Sequence, residues 1–271
     1  MVHASSSARW RVRFTSLPKP GGVRVLSHLD ADLDAAYASA VIRVMAVIER
    51  RLGPRVLANR VATASQAPAR LVLRPWRDEH TLLRAALERM SATGRLVLRT
   101  DVVACYPSIL PPAVADGLER CGAPATAVER CTRVLDELAA EGVRGLPVGP
   151  AASAILANAV LTTGDAALQR LGLPFVRWVD DWWIQPRSPS HASELLGALG
   201  ESIAPAGLRL NEVKTRLCQP GDPGGGPSPA GYHRAAHADA LPIIPGSNAV
   251  VPGDGGVGAG RRPSHRASGR R

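Results

Sequence analysis

The stretch that decides the fold is FVRWVDDWWI, residues 175–184, in which two adjacent aspartates interrupt a run of aromatic and aliphatic residues. Apolar runs on both sides of a short polar centre predict a buried β-hairpin, with Asp180 and Asp181 at its turn. An uncompensated buried charge is costly. Arg177 is the only cation within the stretch. We therefore expect Arg177 to neutralise one carboxylate and a group from outside the chain to neutralise the other.

Length and composition indicate one good-sized domain with appendages. The chain has 271 residues, of which 45% are hydrophobic and 4% aromatic, so Ala, Val and Leu must fill most of the core. No apolar run is expected to cross a membrane. The net charge of +10 favours a polyanionic partner such as nucleic acid. Four cysteines without a CxxC pair predict free thiols in a reducing compartment, and hence a cytoplasmic protein.

Helical and alternating patterns succeed one another along the chain, which predicts an α+β fold. Asp101 lies in an alternating segment, and Asp78 and Gly94 are expected to cap a helix. The predicted helices are 29–51, 78–94, 111–141, the helix that follows the Gly/Pro loop at 145–150, and 192–203; the predicted strands are 55–61, 70–76, 95–103, the hairpin at 175–184, and a turn with a strand pair in 207–218.

This order can bring distant acids together. A strand end carries Asp101 and a hairpin turn carries Asp180 and Asp181, while Lys214 lies in the last predicted segment. Two such carboxylate groups can bridge a pair of Mg²⁺ ions about 3.5–4 Å apart. The sequence therefore predicts a divalent-metal site in which the ions supply the missing countercharge.

Four blocks in this order resemble the motifs of the reverse transcriptase family. They are TDVVACYPSI at 100–109, GLPVGPAASAILAN at 145–158, RWVDDWWI at 177–184 and GLRLNEVKT at 207–215. The resemblance implies a right-hand polymerase palm, a ferredoxin-like antiparallel sheet with helices, at 95–218. It further implies a fingers-like region at 29–94. By composition, residues 1–28 are predicted to be a basic arm and residues 219–271 a disordered Gly/Pro-rich tail.

The resemblance also implies an activity, RNA-directed DNA synthesis from dNTPs on an RNA template with a DNA or RNA primer. Two Mg²⁺ ions would lie on Asp101, the Val102 carbonyl, Asp180 and Asp181, and Lys214 would protonate the leaving pyrophosphate. Tyr106 corresponds to the sugar gate. The loop and helix that would support the incoming nucleotide and template include Pro147, Val148, Gly149 and Ser153.

Arginines upstream are candidates for the triphosphate, because a guanidinium makes bidentate phosphate contacts. The candidates are Arg60, Arg74 and Arg77; the alternative for each is a solvated basic surface.

The chain departs from the family pattern at two places. Val148 stands where glutamine is usual in retroviral and group II intron enzymes. In this respect the chain resembles abortive-infection and other defence-associated bacterial reverse transcriptases. A thumb is expected after Lys214, yet a Gly/Pro-rich segment follows. We therefore expect either a partner protein or RNA that supplies the thumb function, or a truncated chain. The rival interpretation is a non-catalytic remnant that binds RNA.

Overall fold

The computed structural model describes residues 12–19, 22–62 and 71–219. In this part of the chain the central sheet has four strands in the order β4-β5-β3-β6, and all neighbours are antiparallel. The strands are β3 (Val97–Thr100), β4 (Phe175–Trp178), β5 (Asp181–Ile184) and β6 (Arg216–Cys218). The predicted α+β class with an antiparallel sheet is confirmed.

Helices cover both faces of this sheet. They are α1 (Ala31–Arg51), α2 (Trp76–Ala92), α3 (Cys105–Ser108), α4 (Pro111–Cys121), α5 (Ala125–Ala140), α6 (Ala151–Arg170) and α7 (Pro189–Ile203). Successive side chains of a strand point to opposite faces. Trp182 and Ile184 accordingly pack into the larger core with α6, while Trp183 packs with α2. The tryptophans around the aspartates are therefore core residues of both layers.

Several predicted boundaries shift. Asp30 caps α1, since its Oδ1 accepts a hydrogen bond of 2.9 Å from the Leu33 amide. Helix α2 begins at Trp76 with Pro75 at its N-cap, so Asp78 lies in the first turn and is not the predicted cap. The single helix predicted at 111–141 is two helices, because Gly122 takes a φ of 84° at the end of α4.

Helix α6 is the central helix of the larger core. It contacts α1, α4 and α7, and most of its residues are buried. By length and hydropathy α6 is apolar enough to cross a membrane, which the sequence analysis did not predict. Most of α6 is buried, as in the core helix of a globular protein. Such core helices can have the same length and hydropathy as a membrane span.

The predicted arm and fingers-like region differ from expectation. Strands β1 (Val12–Lys19) and β2 (Gly22–Leu29) pair as an antiparallel hairpin, where no strand was predicted. The predicted strands at 55–61 and 70–76 are reduced to isolated bridges, Val56 with Arg177 and Val61 with Leu73. Residues 1–11 of the arm and the predicted disordered tail from residue 220 onward lie outside the described residues.

Candidate active site

The carboxylates of Asp101, Asp180 and Asp181 lie at one end of the central sheet. Thr100 of β3 pairs with Trp182 of β5 in an antiparallel register. Asp101 follows Thr100 and Asp181 precedes Trp182, so the register places these two acids across from each other. Asp180 occupies the turn between β4 and β5. The structure therefore brings the predicted acids together although about 80 residues separate them along the chain.

Asp101 is buried and only partly satisfied. Its Oδ2 lies 2.5 Å from Lys214 Nζ. Its Oδ1 is buried and, among the described residues, has no hydrogen-bond partner. A buried carboxylate oxygen without a donor is costly unless a ligand binds there. This oxygen could accept a cation or a hydrogen-bond donor.

The backbone around Asp101 is fastened to the segment before Lys214. The Asn211 amide donates to the Asp101 carbonyl at 2.8 Å, and the Val103 amide donates to the Arg209 carbonyl at 2.9 Å. These bonds frame the bridge between Val102 and Leu210. Neither bond uses the Val102 carbonyl, so the proposed extra ligand remains compatible with the backbone geometry.

Of the acids at this end of the sheet, Asp180 has a strongly shifted pKa. Burial, together with the neighbouring carboxylates of Asp181 and Asp101, raises the pKa of Asp180 to about 7. A cation that bound here would reverse both effects, because it favours the ionised form. A strongly perturbed acid beside other acids is typical of functional sites.

The countercharges differ from the prediction for Arg177. Arg99 of β3, which the sequence analysis did not consider, pairs with Asp181, with Arg99 Nη2 and Asp181 Oδ1 3.2 Å apart. Arg177 neutralises neither aspartate of the turn. Its guanidinium is fully buried and pairs with Asp165 of α6, with Arg177 Nη2 and Asp165 Oδ2 2.7 Å apart. The expectation that Arg177 neutralises one of the pair is therefore wrong.

Lys214 is the cation that pairs with Asp101. Its amide donates to the Asn211 carbonyl at 3.2 Å in a turn, and Thr215 Oγ1 lies 2.7 Å from Thr100 Oγ1. These contacts place the Lys214 backbone beside β3. The side chain is 61% exposed, so the ammonium group can leave Asp101 without disturbing the core.

The residues present fit a divalent ion whose coordination shell is completed by substrate. Within residues 12–19, 22–62 and 71–219, no group of three His, Cys, Asp or Glu residues could hold a metal ion. Mg²⁺ in nucleotide enzymes is usually bound by one or two carboxylates together with substrate phosphates and water. Asp101 and Asp180 match that requirement, because Asp181 already has Arg99 as a partner.

The loop before α6 lies close to α3. Gly145 has a φ of 65°, and a Cβ at this position would lie 2.7 Å from the Tyr106 carbonyl oxygen. The Leu146 amide donates to that same oxygen at 2.9 Å. Only glycine allows both the backbone angle and this approach. The partly buried Tyr106 ring packs at the edge of the larger core, so the predicted sugar gate and the predicted nucleotide loop are neighbours.

The predicted loop residues have distinct environments. Pro147 is buried and Gly149 is exposed. The Val148 carbonyl accepts a hydrogen bond of 2.8 Å from the Ser27 amide of β2, so the hairpin anchors this loop. Ser153 is fully buried, and its Oγ lies 3.1 Å from the Tyr37 hydroxyl of α1. Ser153 thus connects α6 to α1 and has a structural role in their packing.

The candidate phosphate ligands also divide. Arg60 closes the end of α1, since its guanidinium pairs with Glu49 at 2.8 Å and donates to the carbonyls of Gly53 and Val56. Arg74 is more exposed, with Nη2 3.5 Å from Glu49 Oε1. Arg77 is exposed and lies over the Trp76 ring. Their predicted contact with a triphosphate stays a prediction, and Arg60 has a structural task that sequence reasoning missed.

Comparisons with known proteins support the fold. No protein-family model and no curated protein sequence matches the chain. The apo telomerase of Candida tropicalis has a similar structure, with a TM-score of 0.50 and 12% identity over 81% of this chain and 46% of that chain. Telomerase from Candida albicans, in complex with a TWJ fragment of telomeric RNA, gives a TM-score of 0.48 and 14% identity over 77% and 41% of the two chains.

The chain thus spans less than half the length of either telomerase. Telomerase is a reverse transcriptase, and a likeness at 12% identity concerns the fold alone. The antiparallel sheet and its helices fit a palm-like fold. The chain has a reverse-transcriptase-like fold.

Proposed function

We propose that this protein is an RNA-directed DNA polymerase that transfers deoxynucleotides from dNTPs to a primer 3′-hydroxyl. The observation that carries the proposal is the convergence of Asp101, Asp180 and Asp181 at one end of a palm-like sheet. The unpartnered Oδ1 of Asp101 and the raised pKa of Asp180 both support a site that would bind a cation. A palm that lacked a ligand here would carry this cost without compensation.

Two Mg²⁺ ions, when bound, would stabilise charge on the attacking hydroxyl and on the leaving pyrophosphate. Asp101, the Val102 carbonyl and Asp180 would hold them, with Asp181 supporting the turn through Arg99. Lys214 would leave Asp101 and reach the pyrophosphate as a proton donor. Catalysis by such a site depends mainly on the position of the reacting groups and on charge stabilisation.

Two further groups of residues support a nucleotide substrate. Tyr106 and the loop at 145–149 adjoin each other, and Arg74 and Arg77 offer guanidinium groups that are not fully enclosed. In our proposal Tyr106 excludes a ribose 2′-hydroxyl, the loop supports the base pair, and the two arginines contact the triphosphate.

The hairpin of β1 and β2 supports a nucleic-acid partner. Its strands contain Arg13, Lys19 and Arg24 and no acidic residue. The hairpin contacts the loop at Val148 through Ser27, so this basic hairpin adjoins the loop of the proposed nucleotide pocket. We propose that an RNA template and its primer bind along this side, in a cytoplasmic protein whose four cysteines are free and buried.

The experiment that tests this function separates catalysis from binding. Asp101→Asn should abolish incorporation of labelled dNTPs, since it removes a negative ligand and opens no cavity. RNA binding, measured by fluorescence anisotropy, should be unchanged, and Asp116→Asn on the exposed side of α4 should behave as wild type. Incorporation by Asp101→Asn at the wild-type rate would refute the site.

A second candidate function is RNA binding without catalysis. The observation that favours it is that Lys214 already pairs with Asp101 and Arg99 with Asp181, so part of the negative charge is satisfied by the protein itself. In that case neither wild type nor Asp101→Asn would incorporate nucleotides, while both would bind RNA equally well.

Val148 carries a proposal about template use. A glutamine at this position would offer an amide to the incoming nucleotide, whereas valine offers only methyl groups. A hydrogen bond of this kind contributes about 0.5–1.5 kcal/mol. We therefore expect wild type to make product without a template, in keeping with a proposed role in phage defence. Val148→Gln should make less of this untemplated product relative to templated product.

The Val148 backbone bond to Ser27 is the same in both proteins, so the substitution changes the side chain alone. The measurement is the ratio of product without template to product on a defined RNA template. Faithful copying by wild type with no untemplated product would remove the support for a defence role and favour an ordinary templated enzyme.

A further inference from the structure

The Arg177 side chain lies behind the turn that carries Asp180. Arg177 Nη1 donates to the Val179 carbonyl at 2.7 Å and to Asn158 Oδ1 at 2.8 Å. Its Nε donates to Asp165 Oδ1 at 2.8 Å, and Trp182 Nε1 donates to that same oxygen at 3.0 Å. A single buried guanidinium thus connects the turn to helix α6.

The turn needs such a contact. Val179 has a φ of 55°, a left-handed backbone angle that a β-branched residue adopts rarely. Strained backbone angles persist only where the surroundings enforce them. The bond from Arg177 to the Val179 carbonyl is a direct means of enforcing this angle, and Asp180 is the next residue.

The same residues contact the fingers-like region. The Leu57 amide donates to the Arg177 carbonyl at 3.0 Å, and the Arg177 amide donates to the Arg55 carbonyl at 2.8 Å. Asn158 Nδ2 donates to the carbonyls of Ala58 and Asn59, both at 3.2 Å. Segment 55–60 therefore rests on the same buried polar group as the turn.

The opposite side of that segment is also fixed. The Glu79 carboxylate accepts bonds of 3.1 Å from the amides of Asn59 and Arg60. Segment 55–60 thus has α2 on one side and Asn158 on the other. Asn158 connects the segment to the Arg177 guanidinium, in addition to the direct backbone bonds.

We propose that Arg177, Asp165 and Asn158 are positioning residues that set the place of the Asp180 carboxylate and of segment 55–60 together. Arg177 enforces the Val179 turn, Asp165 neutralises Arg177, and Asn158 joins this pair to the segment. The inference rests on the proposed function, since the position of Asp180 matters to chemistry only if the acids act on a nucleotide.

The test uses variants of the full chain that retain a folded core. Asn158→Leu keeps the approximate volume and removes the bonds to Arg177, Ala58 and Asn59. Arg177→Lys retains a positive charge for Asp165, but its single nitrogen replaces the three nitrogens that reach Asp165, Asn158 and Val179 from fixed positions. The control is Gln185→Leu, because Gln185 is also buried and donates to the Met90 carbonyl and Thr93 at the other end of β5.

Hydrogen exchange measures the positioning without any need for activity. We expect Asn158→Leu to speed amide exchange about tenfold or more in both 55–60 and 179–181, and Arg177→Lys to do so in 179–181. Gln185→Leu should speed exchange only around 90–93 and 185. Unchanged exchange at 179–181 in both test variants would overturn the proposal. The proposal would also fail if Gln185→Leu sped exchange at 55–60 and 179–181 as much as Asn158→Leu does.

Kinetics supply the readout that a purely structural role would not change. We expect Asn158→Leu to lower kcat about tenfold at saturating dNTP, and Gln185→Leu to leave it within twofold. Normal kcat in Asn158→Leu with faster exchange would contradict the positioning role. If wild type incorporates no nucleotide, the proposed function fails, while the exchange data still decide whether the network fixes the turn.

Discussion

Asp180→Asn is expected to lower Mg²⁺-dependent nucleotide incorporation by about a hundredfold or more. Metal-ion charge stabilisation contributes several kcal/mol to catalysis, and each tenfold in rate corresponds to about 1.4 kcal/mol. The amide keeps the size of the side chain and removes its charge. The measurement is the initial rate of labelled dNTP incorporation at saturating primer-template. A rate within a few-fold of wild type would exclude Asp180 from the site.

The same variant should be more stable than wild type at high pH when divalent ions are absent. Burial and the neighbouring acids raise the pKa of Asp180 from 3.8 to about 7. A folded-state pKa above the unfolded value means that wild type loses stability as pH rises from about 4 to about 7. Asparagine does not ionise, so this loss is absent in the variant.

The melting temperatures of the two proteins should therefore be closest near pH 4 and should separate by pH 8, with Asp180→Asn higher. Burial also raises the pKa of Glu79 to about 7, but this residue is present in both proteins and its effect cancels in the difference. A lower melting temperature for the variant at pH 8 would show that the Asp180 carboxylate is stabilised by the metal-free fold.

Gly145→Ala is expected to cause a large loss of stability. Gly145 has a φ of 65°, and a Cβ there would lie 2.6 Å from the Pro107 carbonyl oxygen and 2.7 Å from that of Tyr106. Both contacts are with backbone, which cannot rotate away. The left-handed angle costs about 1–2 kcal/mol for a residue with a Cβ, and overpacking of this kind adds about 1–3 kcal/mol.

Gly172→Ala provides the matched control. Gly172 has a φ of 67°, and a Cβ there would have no neighbour within 4 Å. We expect Gly172→Ala to lose only the backbone contribution of about 1–2 kcal/mol. Urea unfolding of both variants measures the difference. Equal losses would mean that the loop before α6 does not pack closely against Tyr106 and Pro107.

The sequence allowed the core of this arrangement to be predicted because its signals are local. The aspartates between tryptophans indicated a hairpin, and the alternation before Asp101 indicated a strand. The antiparallel register that places Asp101 opposite Asp181 is a property of the folded sheet. It could be inferred only through the order of the motifs.

The partners of the charges could not be predicted in the same way. Arg177 is two residues from the turn and three from Asp180, yet its side chain points to α6 because alternate residues of β4 face opposite layers. A signal existed in Asp165, an isolated acid within the apolar sequence of α6, which required a buried cation. Arg99 carried no comparable signal in the sequence, because only the pairing of β3 with β5 brings it to Asp181.

The N-terminal hairpin was missed for a different reason. Residues 19–22 read Lys-Pro-Gly-Gly between two segments rich in β-branched and aromatic residues, which is a hairpin signal. The absence of acids and the serines before residue 12 favoured an arm instead. The bond from Ser27 to Val148 shows why this hairpin matters, since it anchors the proposed nucleotide loop.

In our proposal, Asp101 and Asp180 catalyse template-directed nucleotidyl transfer. The most direct measurement is elongation of oligo(dT) on poly(rA) by the purified full chain with labelled dTTP and Mg²⁺, beside reactions with EDTA and without template. We predict an extended primer that requires the divalent ion and lengthens with template present. Primer that stays at its starting length in Mg²⁺, while the protein binds the same RNA, would contradict the account.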